Sequence, residues 1–356
     1  MIESGKVDPT AHTLKVIASR LGTSVQYLVD EPFDATRVIH LLLKSGRRLF
    51  EQKACAEAVE YFATAAELSL GTDNGKIEVE CKEAQAFAEY EAGLIDEALA
   101  SSLQAAELYH SLHLPSGQAK ALLVAGNCSF TLNQFRQARQ YYTRVLAIVG
   151  NLKQDWELHS RVLRNLGSTF YRLGQWERSA EYFRDSALIA HQGPDPLLEG
   201  YAFLGLSAVM IESGDIERAK DPLVTAEQLL VACGDEFGIT AVRCNRGIHE
   251  MRRGSWETGR SLVEHALRYF LEARMSREIA AATHELAKYW EHRRKPRRAI
   301  ALCEEALKAM APRQDKVEKA RIYETLARLY NTTGDLKTAS HYEELSKEML
   351  GIIFQS

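Results

Sequence analysis

A small residue returns in the same local setting every 40 positions along this chain of 356 residues. The row runs Ala58, Ala98, Ala138, Ser179, Ala219, Gly259, Ala299 and Ala339, with a single step of 41 among steps of 40. A second row follows seven residues behind the first: Ala65, Ala105, Val145, Ser186, Ala226, Ala266, Ala306 and Ser346. No single helix or strand generates a period of that length. It marks a stack of like units, none of which can bury its own apolar face alone. Such stacks present long binding surfaces, which favours a binding protein over an enzyme.

The composition says what the unit is made of. Eight prolines in the whole chain, with abundant Ala, Leu, Glu and Arg, favour helix. The net charge of -4 argues against a nucleic-acid footprint over the whole surface, although a small DNA-reading module on an acidic array is compatible with it. Cys55, Cys81, Cys128, Cys233, Cys244 and Cys303 show no CxxC and no His spacing, so they read as small, mostly buried thiols in a reducing compartment. The opening MIESGKVDPT is too polar for a signal peptide, and no run of about 18 apolar residues follows. The expectation is a cytoplasmic protein with no membrane contact, no metal and no cofactor.

Residues 160–188 show one unit most clearly. Leu166, Gly167, Phe170 and Tyr171 share one face of a first helix, which Gly174 ends as a left-handed cap. Trp176, Ala180, Phe183 and Ala187 ride a second helix, and Gly167, Ser179 and Ser186 let the two approach. Gly93, Gly214, Gly254 and Gly334 repeat the turn, with Asp215, Ser255 and Asp335 as expected N-caps. GTDNG at 71–75, LPSGQ at 114–118, GPDP at 193–196, GDEFG at 234–238 and APR at 311–313 break the chain between units. The reading is sixteen helices in eight antiparallel pairs.

The set LG-x-x-F at 166–170, G-x-W-x-x-S at 174–179, Phe183 and Ser186 resembles the tetratricopeptide repeat (TPR). The usual TPR period is about 34 residues; the longer unit here is similar to those of kinesin light chains and of bacterial signal-sensing regulators. HEAT and armadillo repeats share the length but lack this signature. The resemblance implies an all-α fold, a right-handed superhelix of eight TPR pairs over residues 38–350, with 351–356 as a tail.

The first residues stand outside the period. The segment IESGK at 2–6, Pro9, TLKVIA at 13–18, Leu21, Gly22, Ser24, Tyr27 and Leu28 resembles the second half of a phage-repressor-type (Xre/Cro-type) helix-turn-helix. Leu14, Ile17, Ala18 and Leu21 form the apolar face of one helix, and Gly22 ends it. Residues 1–30 are therefore read as the C-terminal part of a DNA-binding domain and 31–37 as a linker. Ser4 and Lys6 are the DNA-proximal remnant. In that family the base-reading start of the recognition helix precedes IESGK, so DNA is expected as a partner only where the full helix-turn-helix is present.

In TPR superhelices the first helices line the concave face, and that face carries the ligand. Alignment of the units places Asn127, Phe130, Arg161, Arg164, Asn165, Asn245 and Arg252 there, with Tyr201 and Leu204 as apolar floor. An Asn amide donates to and accepts from a peptide backbone, and paired Arg residues clamp a carboxylate. Other chemistry is absent from the pattern. His284-Glu285 lacks the second His of a zinc protease, and no phosphate loop or nucleophile elbow occurs. Glu89 and Glu91 read as solvated acids, and HRRKPRR at 292–298 as a solvated turn that replaces the glycine.

The layout resembles the bacterial peptide-pheromone-sensing transcriptional regulators. It implies a homodimer whose TPR groove binds a short peptide or protein partner and thereby controls the N-terminal reader. The alternative is a TPR adaptor or antagonist that binds a partner protein and no DNA.

Overall fold

A computed structural model describes residues 11–22, 34–72, 74–150, 155–310 and 316–355. Among them there is no strand, and seventeen helices account for nearly all of the chain. Helix α1 is Ala11–Leu21, and the other sixteen form eight pairs. The first helices of the pairs are α2 (Ala35–Glu51), α4 (Gly75–Glu91), α6 (Pro115–Thr131), α8 (Trp156–Arg172), α10 (Pro196–Ser213), α12 (Glu236–Arg252), α14 (Ser276–His292) and α16 (Lys316–Thr333). Their partners are α3 (Cys55–Ser69), α5 (Ile95–Ser111), α7 (Phe135–Val149), α9 (Trp176–Gln192), α11 (Lys220–Cys233), α13 (Trp256–Glu272), α15 (Pro296–Ala309) and α17 (Leu336–Gln355).

Both periodic rows of small residues are buried along their whole length, from Ala58 and Ala65 to Ala339 and Ser346. They lie on the second helices, Ala219 at the N-cap of its own, where a small side chain lets the first helix of the pair come close. The two serines of pair four satisfy their hydroxyls inside that contact. Ser179 Oγ donates to the Gly167 carbonyl at 2.7 Å, and Ser186 Oγ donates to the Ser160 carbonyl at 2.9 Å. A buried hydroxyl without such a partner would be costly.

The turns differ from the expectation in instructive ways. Gly174 does adopt the left-handed conformation, but in pairs one, three and seven Lys53, Asn133 and Arg294 hold the same region without being glycine. Asp335 caps α17 by accepting from the Thr338 amide at 3.1 Å, whereas Ser255 precedes α13 without a side-chain cap. Asp215 caps nothing, because α11 begins only at Lys220. Pro222 has no N–H for the Arg218 carbonyl, so a helix starting at residue 216 would lose a bond and meet the ring. The expected breaks at 115–118 and 236–238 are helical first turns, with Pro115 at the start of α6 and Asp235 capping α12.

The helices gather into two compact units. One contains α1 to α6 and α7 from Arg136 onward; the other contains Asn133–Phe135 and α8 to α17. Within each unit first helices touch the first helices of neighbouring pairs, as α2 touches α4 and α14 touches α16, and so make a continuous face. In the first unit α1 joins the core of pair one. Ile17 is fully buried among Val38, Ile39, Leu42, Leu43 and Phe62. Tyr61 on α3 donates its hydroxyl to the Arg20 carbonyl at 2.7 Å, and the Arg20 guanidinium reaches Thr64 and the Glu60 carbonyl. Gly22 ends α1 with φ +63°, as its sequence position implies.

Candidate functional site

Each unit has a cavity on its first-helix face, and the two use equivalent positions of the repeat. In the first unit the positions are Glu80, Glu83, Ala84 and Phe87 on α4 and Lys120, Leu123 and Val124 on α6. Phe50 of α2 adds a wall, and Phe62 of α3 and Ala105 of α5 close the floor. The cavity measures about 520 Å³ and its surface is mostly carbon. Ala84 leaves the space that a larger residue at its position would take. The Phe50 and Phe87 rings lie 5.3 Å apart at the mouth, and Phe87 is 47% exposed.

In the second unit the equivalent positions carry Ala208, Asn245, Ile248, Ala281, His284, Glu285, Lys288 and Arg321, around only about 120 Å³. Charge fills this face. Glu285 Oε1 accepts from Arg252 at 3.1 Å and from Lys288 at 2.7 Å. Arg172 of pair four donates to Glu318 of pair eight at 2.6 Å, with side chains only 10% and 7% exposed. That pair joins the first and last repeats of the unit across 146 residues. Burial pulls the Arg172 guanidinium below its ordinary value, with the Glu318 carboxylate opposing the shift. His284, bonded to Thr325 Oγ1 at 2.9 Å, is pushed down to about 3 by burial and by Lys288 and Arg321. Burial raises the Tyr171 phenol to about 12 and also raises the Glu278 carboxyl.

The residues expected to bind a ligand distribute over both units. In the first unit Asn127 accepts from the Tyr142 hydroxyl at 2.8 Å, and Phe130 is half-buried on the same helix. In the second unit Arg161 is exposed and paired with Glu157 at 2.8 Å. Arg164 lies over the Tyr201 ring, 5.5 Å from its centre. Tyr201 donates to Asp235, the cap of α12, at 2.6 Å, which together with burial raises its phenol. Asn165 and Leu204 are half-buried beside it on α8 and α10. Asn245 donates to the Ser207 hydroxyl at 3.3 Å and lines the crevice, and Arg252 holds Glu285. Most of these polar groups therefore already have internal partners, which a ligand would have to replace. Ser4 and Lys6 lie outside the described residues.

Sequence reasoning missed the aromatic cavity, although Ala84 stands at the position equivalent to Asn165 of pair four. It drew its ligand face from pairs three to six and assigned no residue of pairs one and two to it. It also placed Glu89 in solvent. The side chain is buried, accepting from Gln85 Nε2 at 2.7 Å through one oxygen while the other has no partner. Four of the six cysteines are buried, and burial lifts Cys81, Cys128, Cys244 and Cys303 to about 12, well away from thiolate chemistry. Among the described residues no helix is long and apolar enough to cross a membrane.

Residues 162–197 match the tetratricopeptide repeat. The match falls on α8 and α9, the repeat whose sequence is most regular. No curated protein matches the sequence. Solved structures do share the fold. Aspartyl phosphate phosphatase F from Bacillus subtilis is 13% identical with a TM-score of 0.67, over 86% of each chain. The apo form of RapI is 11% identical with a TM-score of 0.64, over 89% of this chain and 99% of that one. The Rap conjugation gene regulator of plasmid pLS20, solved with the Phr* peptide, is 15% identical with a TM-score of 0.53, over 89% of this chain and 74% of that one. These likenesses establish a repeat array of the same architecture.

Proposed function

We propose that the chain is the sensor of a cytoplasmic, signal-responsive transcriptional regulator. Its array binds a short peptide or a protein partner on the first-helix face and controls an N-terminal helix-turn-helix, of which residues 2–29 resemble the C-terminal part. The array is residues 38–350 and the working form a homodimer, since repressor-type readers address paired half-sites. The observation that carries the reading is the docking of α1. The one described helix of the N-terminal segment is seated on pair one through Ile17 and the Arg20–Tyr61 contact, so a change within that repeat is felt there. The shared fold with a Rap regulator solved with a peptide supports the ligand class. The mechanism is a population shift, in which a ligand that prefers one arrangement of the pairs alters how the N-terminal segment is held.

The test is binding of a labelled library of short random-sequence peptides to the wild type, Arg164→Ala and Asn165→Ala. Retained peptides whose affinity falls in either variant support the reading and its residues. Peptides bound equally by all three would remove Arg164 and Asn165 from the site. No retained peptide, together with co-purification of a protein partner, would favour the adaptor.

A further inference from the structure

We infer that the cavity of the first unit binds a large apolar side chain, aromatic or branched, that sits beside a carboxylate. This deepens the proposed function, because it rests on the array being a peptide binder and names the subsite and its chemistry. Three observations converge on it. First, the volume of about 520 Å³ falls within the range of ligand pockets, and its lining is mostly carbon. Second, the Phe50 and Phe87 rings stand at the mouth with Phe87 nearly half exposed, a position that costs solvation unless something covers it.

Third, the rim charges sort themselves. Arg47 is engaged by Glu80, and Glu83 accepts the Tyr109 hydroxyl at 2.6 Å. Lys120 on α6 is exposed and has no ion-pair partner among the described residues. At the far end, Glu51 on α2 is an exposed acid without an ion-pair partner among the described residues. An anionic group is therefore welcomed at the α6 end and repelled at the α2 end. The crevice of the second unit on equivalent positions offers neither the volume nor the apolar floor, and that unit's other hollow, about 590 Å³ on the last pair, is lined by Glu324, Arg328, Glu343 and Lys347. Discrimination for an apolar side chain thus belongs to the first unit.

The probe is 8-anilinonaphthalene-1-sulfonate, an aromatic anion that matches both halves of the site. It is titrated by fluorescence against the wild type, Ala84→Trp, Phe87→Ala and Lys120→Met, with thermal unfolding by circular dichroism as the control for folding. Ala84→Trp fills the cavity and is expected to weaken binding about tenfold or more. Lys120→Met keeps the stem and removes the cation, for a loss of about threefold. N-acetyl-Leu-Phe as the free acid should displace the probe better than its C-terminal amide. If Ala84→Trp fails to fold, Phe87→Ala, which removes an exposed ring, carries the same test. Probe binding unchanged in the folded cavity variants would overturn the site, and equal displacement by acid and amide would overturn the carboxylate. Loss of peptide affinity in Arg164→Ala or Asn165→Ala bears on the wider reading and leaves these results untouched.

Discussion

The two units use the same repeat for opposite ends. On the first-helix face of the three-pair unit, Ala84, Phe87, Leu123 and Val124 leave an open apolar volume. On the same face of the five-pair unit, Asn245, His284, Glu285, Lys288 and Arg321 fill the equivalent positions, and the buried Arg172–Glu318 pair ties repeat four to repeat eight. The backbone is the same helix pair in both. What differs is one position of the repeat, apolar as Ala84 and Val124 in the first and polar as Asn245 and Glu285 in the second, where Glu285 draws Arg252 and Lys288 onto the face. The first leaves a hollow, and the second closes on itself through ion pairs.

The sharpest way to break this contrast is to cut the tie. Arg172→Ala leaves the Glu318 carboxylate buried without its cation, and removal of one member of a buried pair costs about 3–5 kcal/mol. Replacement of both by Met and Leu should recover most of that loss. All four tryptophans, Trp156, Trp176, Trp256 and Trp290, lie in the five-pair unit, so their emission in a urea titration reports on that unit. An unchanged midpoint in Arg172→Ala would mean that the pair is an ornament of a stack already closed by packing.

Glycine-to-alanine substitutions sharpen the contrast next. A Cβ at Gly247 would meet the Gly259 carbonyl oxygen at 2.8 Å, a backbone atom that cannot step aside. A Cβ at Gly46 would meet the Phe62 ring at 2.5 Å, but that ring borders the cavity and has space to move into. Overpacking costs about 1–3 kcal/mol, so Gly247→Ala should fall near the top of that range and Gly46→Ala near the bottom. Circular dichroism melts of the two variants make the comparison. Equal losses would mean that the cavity gives Phe62 no freedom.

Legibility in the sequence followed the same divide. The eight pairs could be read because close helix packing admits only small residues at Ala58, Ala98 and their successors, and a steric requirement of that kind repeats without exception. The turns were less legible, since Lys53, Asn133 and Arg294 bear the strain of a left-handed backbone that the pattern assigns to glycine. The first-helix face was legible as a position and illegible as chemistry. The register puts Asn245 on the first-helix face, where it lines the crevice, but which polar groups are already satisfied depends on neighbours tens of residues away. Tyr201 with Asp235, and Arg172 with Glu318, are partnerships that no local spacing announces.

Acid sharpens the contrast from the side of charge. The His284 imidazole is held down to about 3 in the folded five-pair unit against an ordinary 6.5. As pH falls through 6.5 the unfolded chain takes up a proton and the folded one does not, so stability is full above that value and declines toward 3. The slope is at most about 1.4 kcal/mol per pH unit, giving a loss of about 1 kcal/mol at pH 5.5. Glu278, raised by burial, binds its proton early in the folded state and offsets part of the loss at lower pH. His284→Asn should flatten the dependence of the tryptophan-detected midpoint between pH 7 and 5.5. A slope that survives the substitution would assign it to another group.

The smallest effect concerns the seat of α1 on the open unit. Tyr61→Phe removes one hydrogen bond, from the phenol to the Arg20 carbonyl at 2.7 Å, and keeps the ring in place. At a half-buried site that is worth about 0.5 kcal/mol, the lower end for a hydrogen bond. Global melting of the array should not move, because α1 adds only an edge to the core of pair one. Amide exchange over residues 11–22 should instead quicken about twofold, since local opening reports local free energy. Ile17→Ala is the complementary cut, as it empties a fully buried position in the core that Phe62 shares with the cavity. If exchange in α1 quickens in Ile17→Ala but not in Tyr61→Phe, the helix is held by its apolar face and the Arg20 guanidinium, without help from the phenol. The link between cavity and N-terminal segment would then run through Phe62 and Ile17, a path of packed side chains to which the Tyr61 hydroxyl adds nothing.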